Sequence, residues 1–206
     1  MLDRAALALL RPGLNGAARG LARLGVRADQ VTWAGFALGI GAALSIALGQ
    51  FTAGLLLILA SRVCDGIDGA LARLTAPTER GGFLDITLDF LFYASSPLAF
   101  AFADPAANAL AAALLLAAFI GTGSSFLAYA AVAARLGRGS SAAYPNKGLY
   151  YLGGLTEASE TLACFCLMCL WPRAFAPLAI GFAALCGLTT VSRLWAGWRD
   201  LGETHQ

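Results

Sequence analysis

The sequence predicts an all-α integral membrane protein with six transmembrane helices and an N-terminal amphipathic interfacial helix. Hydrophobic residues make up 59% of the chain and charged residues 13%, with a mean hydropathy of +0.71, whereas soluble domains are about half apolar and a quarter charged. The apolar residues fall in runs of about 20, the length at which a helix crosses roughly 30 Å of hydrocarbon. We therefore expect residues 1–206 to form a single membrane domain.

The first segment, residues 1–25, alternates leucines with arginines at regular intervals. This basic amphipathic pattern predicts a helix that lies on an anionic membrane surface. Pro12 and Gly13 are expected to break or bend this helix. The alternative interpretation is a solvated basic leader, and neither interpretation places chemistry in this segment.

Apolar runs and turn signals place the six spans at about 31–49, 51–74, 82–103, 105–135, 152–170 and 177–198. Gly35 and Gly39, one helical turn apart in the first span, allow a close helix contact. Asp104-Pro105 suits the start of the fourth span. Arginine and lysine gather in the connections on one side, and only Arg173 lies in the opposite connections. By the positive-inside rule both termini are cytoplasmic.

Thiol and histidine chemistry are not expected in this chain. All five cysteines lie in apolar runs, and the only histidine is His205 near the C-terminus. Cys166 and Cys169 form a C-x-x-C, but no second pair and no nearby histidine completes a metal or redox site. The cysteines are therefore interpreted as small buried hydrophobic residues.

Four carboxylates interrupt the second and third spans. They are Asp65, Asp68, Asp85 and Asp89. Each pair is spaced by three or four residues, so that each forms a stripe on one helix face, and a short loop makes the two helices antiparallel neighbours. An ionised carboxylate in hydrocarbon needs a compensating positive charge. Oxygen ligands without histidine or cysteine favour a hard cation, Mg²⁺ or Mn²⁺.

Glycines and an arginine accompany these carboxylates. The glycines are Gly66, Gly69, Gly81 and Gly82. They remove side chains where a large ligand would approach the backbone, and Arg73 offers a guanidinium suited to phosphate. This combination indicates a site for a diphosphate-linked substrate. The alternative is that the carboxylates form buried ion pairs with Arg62, Arg73 and Arg193, but these cations are too few for full pairing.

The motif residues form the pattern D-x-x-D-G-x-x-A-R-x₇-G-x₃-D-x₃-D. Its fixed positions are Asp65, Asp68, Gly69, Ala72, Arg73, Gly81, Asp85 and Asp89. The pattern resembles the full signature of the CDP-alcohol phosphatidyltransferase family. The six-span plan, the N-terminal helix and Thr32 near the start of the first span are also similar, although Ala28-Asp29 stands where the family often has Pro-Asn. Stretches 82–93, 121–126 and 150–157 resemble a bacterial inner-membrane subgroup, which implies the inner (cytoplasmic) membrane.

The resemblance implies a phospholipid-biosynthetic reaction in which an acceptor hydroxyl attacks the lipid-side phosphorus of CDP-diacylglycerol and CMP is released. It implies two Mg²⁺ or Mn²⁺ ions per protomer, a homodimer and no nucleic-acid partner. The implied metal ligands are Asp65, Asp68, Asp85 and Asp89, with Asp89 also the general base. The implied CDP contacts are Thr32, Gly69, Arg73 and Gly81.

The acceptor is predicted from polar residues outside the motif. Arg62, Lys147 and Arg193 could form a basic pocket for an acceptor phosphate, as the resemblance to family members with phosphorylated acceptors implies. A polyol phosphate such as glycerol 3-phosphate or inositol phosphate is therefore the favoured acceptor. Glu157 and Glu160 could instead bind hydroxyls or an amine, which would favour an amino alcohol or serine. Equally, either glutamate could pair with Arg62 or Arg193 and fasten the bundle.

The sequence does not favour two other classes of protein, a small transporter and a noncatalytic structural protein. A small transporter predicts internal repeats and spans broken at the membrane midplane, and the sequence has neither. A noncatalytic structural protein would have no need of all four aspartates. An enzyme is therefore the favoured interpretation.

Overall fold

A computed structural model describes residues 2–136 and 156–202, and within them it contains helices and no strand. The helices are α1 (Leu2–Arg23), α2 (Ala28–Ala47), α3 (Phe51–Thr75), α4 (Glu79–Ala103), α5 (Pro105–Arg135), α6 (Ala158–Leu170) and α7 (Phe175–Gly202). A 3₁₀ turn, Pro172–Ala174, precedes α7. The all-α prediction is confirmed for the described residues. Helix α6 covers the later part of the predicted fifth span, 152–170, and residues 152–155 of that span lie outside the described residues.

Four helices are long and apolar enough to cross a membrane by length and composition. They are α2, α4, α5 and the continuous stretch Pro172–Gly202 that contains α7. Helix α3 is long enough to cross a membrane. Every stretch of 18 residues within it contains the charged residues Arg62, Asp65 and Asp68, so that it does not count as a candidate span. Helix α6 spans only 13 described residues. The structure therefore confirms a helical protein with four candidate spans.

Helix α1 packs against the end of α3 that carries the aspartates. Ala18 on α1 is fully buried in a small cluster with Val31, Ala70 and Leu71. Gly66 makes room for this contact, because a Cβ there would lie 2.9 Å from Leu14 Cδ1. Pro12 does not break the helix, since Leu2–Arg23 is one helix with Pro12 inside it, and the bend at Pro12 stays a prediction. The apolar face of α1 covers protein next to the motif.

Helices α2, α3 and α4 come together through glycines of α2. A Cβ on Gly35 would lie 3.0 Å from Cys64 Cβ, and one on Gly39 would lie 2.6 Å from Phe92 Cδ2. Ser61 Oγ donates a buried hydrogen bond of 2.7 Å to the Gly35 carbonyl. The predicted close contact at the two glycines is confirmed, and it brings the motif-bearing faces of α3 and α4 to α2.

Local caps set the ends of α4 and α5. The Thr78 hydroxyl accepts a 3.0 Å hydrogen bond from the Gly81 N–H and so caps the first turn of α4. Only residues 76–78 separate α3 from α4, which makes these two helices antiparallel neighbours. Asp104 Oδ1 accepts from the Ala107 N–H at 3.1 Å, so that α5 begins at Pro105 as the sequence predicted.

Candidate active site

Three of the four motif carboxylates converge between α3 and α4. Asp65 and Asp68 lie one turn apart on α3, and Asp85 lies on the facing side of α4. One oxygen from each of these side chains lies within 4.8 Å of the other two. Because α3 and α4 are antiparallel and joined by a short loop, their polar stripes meet near this end of the bundle.

The fourth carboxylate, Asp89, lines the same pocket one turn further along α4. Its Oδ1 lies 2.6 Å from Arg62 Nη1. The same nitrogen lies 3.6 Å from Asp65 Oδ1. Arg62 therefore bridges the carboxylates of two helices, and Asp89 is not part of the group of three that could share one ion.

The pocket draws its walls from α2, α3 and α4. Its lining residues are Thr32, Gly35, Phe36, Ser61, Arg62, Asp65, Asp68, Asp85, Leu88 and Asp89. Thr32, predicted from the sequence as a substrate contact, thus lies at the carboxylates. The hydroxyl of Thr32 also donates to the Ala28 carbonyl at 3.1 Å.

The charges and geometry of this pocket fit a divalent cation. Four carboxylates and one guanidinium line it, which leaves a formal charge of three negative units (four minus one). Asp68 is 5% exposed, and its Oδ2 is buried with no hydrogen-bond partner. A buried carboxylate oxygen without a partner is costly, and a hard cation with oxygen ligands would satisfy it. Arg62 alone does not neutralise the negative charge of the four carboxylates in this pocket.

The glycine and arginine positions of the motif lie toward the α3–α4 loop. A Cβ on Gly69 would meet only Arg73 Nη1, at 3.4 Å, so that the backbone there is open to a ligand. A Cβ on Gly81 would lie 3.1 Å from Thr78 Oγ1 and 3.4 Å from Asp29 Oδ1. Asp29 therefore stands at the corner where α2 and α4 begin.

The residues predicted to bind the acceptor do not gather in one place among the described residues. Arg62 lies in the carboxylate pocket. Arg193 is buried on α7, where Nη1 donates to the Thr122 carbonyl at 3.1 Å and the guanidinium carbon lies 5.8 Å from the centre of the Phe126 ring. Glu157 caps α6, and its N–H donates to Glu160 Oε2 at 3.1 Å. Lys147 lies outside the described residues.

Sequence reasoning missed two residues that hold Arg62 in place. The guanidinium carbon lies 4.1 Å from the centre of the Phe92 ring, and Nη2 donates to Ser61 Oγ at 3.3 Å. A signal for Phe92 exists in the sequence, because it follows Asp89 by three residues and shares its helix face. Ser61 lies next to Arg62 in sequence, but its contact with Gly35 of α2 is visible only in the structure.

The profile of the CDP-alcohol phosphatidyltransferase family matches residues 26–191, which include the whole carboxylate motif. The chain belongs to this family. It is therefore a membrane transferase of phospholipid biosynthesis that acts on substituted phosphate groups. The family assignment confirms the prediction that the chain is an enzyme.

Two curated proteins are similar in sequence. Inner membrane protein YnjF of Escherichia coli is 50% identical over 201 residues, which cover 98% of this chain and 97% of YnjF. Archaetidylinositol phosphate synthase of Methanothermobacter thermautotrophicus is 43% identical over 70 residues, which cover 34% of this chain and 36% of that enzyme. The first likeness extends over nearly the whole length of both chains.

Crystal structures of Mycobacterium tuberculosis phosphatidylinositol phosphate synthase share the fold. The structure with CDP-DAG bound has a TM-score of 0.74 and 23% identity, and the match covers 90% of this chain and 93% of that chain. The structure in complex with manganese and citrate has a TM-score of 0.69 and 24% identity, with 90% and 88% covered. The helix arrangement is therefore the one used by a solved lipid synthase.

Proposed function

We propose that this protein transfers a phosphatidyl group from CDP-diacylglycerol to a small hydroxyl acceptor and releases CMP. The observation that carries the proposal is the pocket in which the four motif aspartates line one space with Thr32 and Arg62. Further support comes from the solved relative of the same fold, which holds CDP-DAG. A site rich in carboxylates beside an open glycine backbone suits a substrate with a metal-bound diphosphate.

The aspartates take two roles in this proposal. Asp65, Asp68, Asp85 and Asp89 would hold two Mg²⁺ or Mn²⁺ ions per protomer, and a solved relative contains manganese. The chemistry that such ions supply is stabilisation of the negative charge that develops on the transferred phosphate. Asp89 accepts the proton of the acceptor hydroxyl as the general base. The acceptor oxygen then forms a bond to the lipid-side phosphorus, and the bond from that phosphorus to the oxygen of CMP breaks.

The CDP moiety would lie along Thr32, Gly69, Arg73 and Gly81. Gly69 offers a sharp test because a Cβ there meets only Arg73 in the free protein. We expect Gly69→Ala to leave the melting temperature unchanged and to raise the KM for CDP-diacylglycerol about tenfold, since the methyl group would occupy space that the ligand needs. Gly82→Ala is the control, because a Cβ there meets nothing within 4 Å. An unchanged KM in Gly69→Ala would remove this residue from the proposed CDP contacts.

We infer that the acceptor is a phosphorylated polyol such as glycerol 3-phosphate or inositol phosphate. The support is that two relatives are named synthases of inositol phosphate lipids. Arg193, Glu157 and Lys147 stay candidates for acceptor binding on this proposal. An amino alcohol or serine is the second candidate, and Glu157 at the start of α6 is the residue that would favour it.

The proposed setting is the bacterial inner membrane, with α2 to α7 as six spans, α1 at the interface and both termini in the cytoplasm. The likeness to an inner membrane protein supports the location, and the distribution of arginine supports the orientation. A homodimer follows from the family resemblance alone. Reporter fusions at the two termini test the orientation, and cross-linking in the membrane tests the dimer.

The proposed reaction is tested by measuring CMP release from CDP-diacylglycerol with Mg²⁺ and a panel of acceptors. We expect one acceptor to trigger release, with phosphorylated polyols as the first members of the panel. Asp89→Asn is expected to lower the rate by at least about 100-fold, because the amide cannot accept the hydroxyl proton. Release that persists in Asp89→Asn would contradict the role of this residue. Absence of release with every acceptor would contradict the donor or the acceptor class.

A further inference from the structure

Arg62 holds the carboxylates of both motif helices through one nitrogen. Nη1 lies 2.6 Å from Asp89 Oδ1 on α4 and 3.6 Å from Asp65 Oδ1 on its own helix. The side chain of Arg62 is only 14% exposed. An ion pair at this depth is weakly screened by water, so that its geometry affects anything else that binds the same oxygens.

A cage of neighbours fixes the position of this guanidinium. The Phe92 ring lies beneath it, with 4.1 Å between the guanidinium carbon and the ring centre. Ser61 Oγ accepts from Nη2 at 3.3 Å and donates to the Gly35 carbonyl, which ties the cage to α2. Because Phe92 and Ser61 are both buried, Arg62 is directed at Asp89 by packing and not by chance on a surface.

The carboxylates consequently fall into two classes. Asp65, Asp68 and Asp85 bring oxygens within 4.8 Å of one another, a set that can bind one cation without Asp89. The guanidinium occupies Oδ1 of Asp89 at 2.6 Å. A divalent cation binds carboxylate oxygen at about 2.0–2.6 Å. A cation at Asp89 would bring a second positive charge to a carboxylate that is already paired with the guanidinium, and the two positive charges would repel each other.

We propose that Arg62 is an internal counter-ion for Asp89 that weakens the binding of a second divalent cation. The proposal rests on the proposed function, which requires divalent cations at these aspartates. In the metal-free protein Arg62 neutralises part of the carboxylate charge and holds α3 to α4. Ions then bind in order: the first at the three-carboxylate set, and the second at Asp89, where the positive charge of Arg62 opposes it. Arg62 is thus a positioning residue that sets how unequal the two ion affinities are.

The test is a titration of the purified full-length protein in detergent with Mn²⁺, with free Mn²⁺ measured by electron paramagnetic resonance. We expect the wild type to bind one ion tightly and a second at least about tenfold more weakly, since the guanidinium beside Asp89 repels the second ion. Arg62→Gln is expected to raise the affinity for the second, weakly bound Mn²⁺ (the weak class) about tenfold. The affinity for the first, tightly bound Mn²⁺ (the tight class) should change less. Arg62→Lys keeps the positive charge, so that the second Mn²⁺ should bind as weakly as it does in the wild type.

Arg62→Met serves as the second charge-free variant, because its stem can still pack on the Phe92 ring if glutamine prevents folding. Arg173→Gln, an exposed arginine in the 3₁₀ turn, is the matched control and should bind as the wild type does. A weak class that is unchanged or weaker in the charge-free variants overturns the counter-ion proposal and leaves the proposed function intact. Wild-type protein that binds no Mn²⁺ overturns both.

Discussion

Asp68→Asn is expected to abolish metal-dependent CMP release while the metal-free protein stays at least as stable as the wild type. Asp68 belongs to the three-carboxylate set, and its Oδ2 is buried with no hydrogen-bond partner. Asparagine has nearly the same shape but no charge, so that the set loses a ligand. Because metal stabilisation of a developing phosphate charge contributes several kcal/mol, we expect the rate to fall by at least about 100-fold.

The melting temperature shows whether Asp68 is a metal ligand or a residue that only stabilises the fold. A buried carboxylate oxygen without a partner destabilises the metal-free fold, so that Asp68→Asn should melt at the wild-type temperature or above it in EDTA. Added Mn²⁺ should raise the melting temperature of the wild type by mass action and raise that of the variant much less.

The matched control for Asp68→Asn is Asp104→Asn, which makes the same chemical change at the cap of α5. Asparagine caps helices as well as aspartate does, and Asp104 lies in the connection between α4 and α5, away from the carboxylate pocket. We expect full activity and the normal response to Mn²⁺ from this control. More than a tenth of wild-type activity in Asp68→Asn, or an undiminished response to Mn²⁺, would remove Asp68 from the metal site.

The carboxylates and their convergence could be predicted from the sequence because the signals are local. Spacings of three and four put Asp65 and Asp68 on one face of α3, and a loop of three residues forces α4 to return beside it. Apolar length predicted the helices in the same way. These inferences need only helix geometry and the cost of charge in an apolar setting.

The residue that pairs with each charged side chain could not be predicted from the sequence. The pairing depends on the rotation of each helix about its own axis and on its position along the bundle. Arg62 was expected to bind an acceptor phosphate, and the structure places it on Asp89, over the Phe92 ring. Phe92 also lies against α2, where a Cβ on Gly39 would be 2.6 Å from its ring, and helix spacing on α4 alone does not predict that approach.

Gly39→Ala is expected to give the largest loss of stability among the glycine substitutions in α2. A Cβ at residue 39 would lie 2.6 Å from Phe92 Cδ2 and 3.3 Å from Ser61 Oγ. Phe92 is 1% exposed and packs edge to face with Phe165 at 6.2 Å, so that its ring has little room to retreat. Overpacking of this kind costs about 1–3 kcal/mol, which exceeds the gain of up to about 1 kcal/mol from replacing glycine in a helix.

Gly41→Ala is the matched control, because it makes the same change two residues further along α2. A Cβ there would meet only Leu57 Cδ1, at 3.7 Å, an ordinary van der Waals contact. The control should therefore melt at or above the wild-type temperature in detergent, whereas Gly39→Ala should melt several degrees lower. Equal melting temperatures in the two variants would show that α2 can move away from α4 at little cost, and Arg62 would then lack the rigid support from which its direction toward Asp89 was argued.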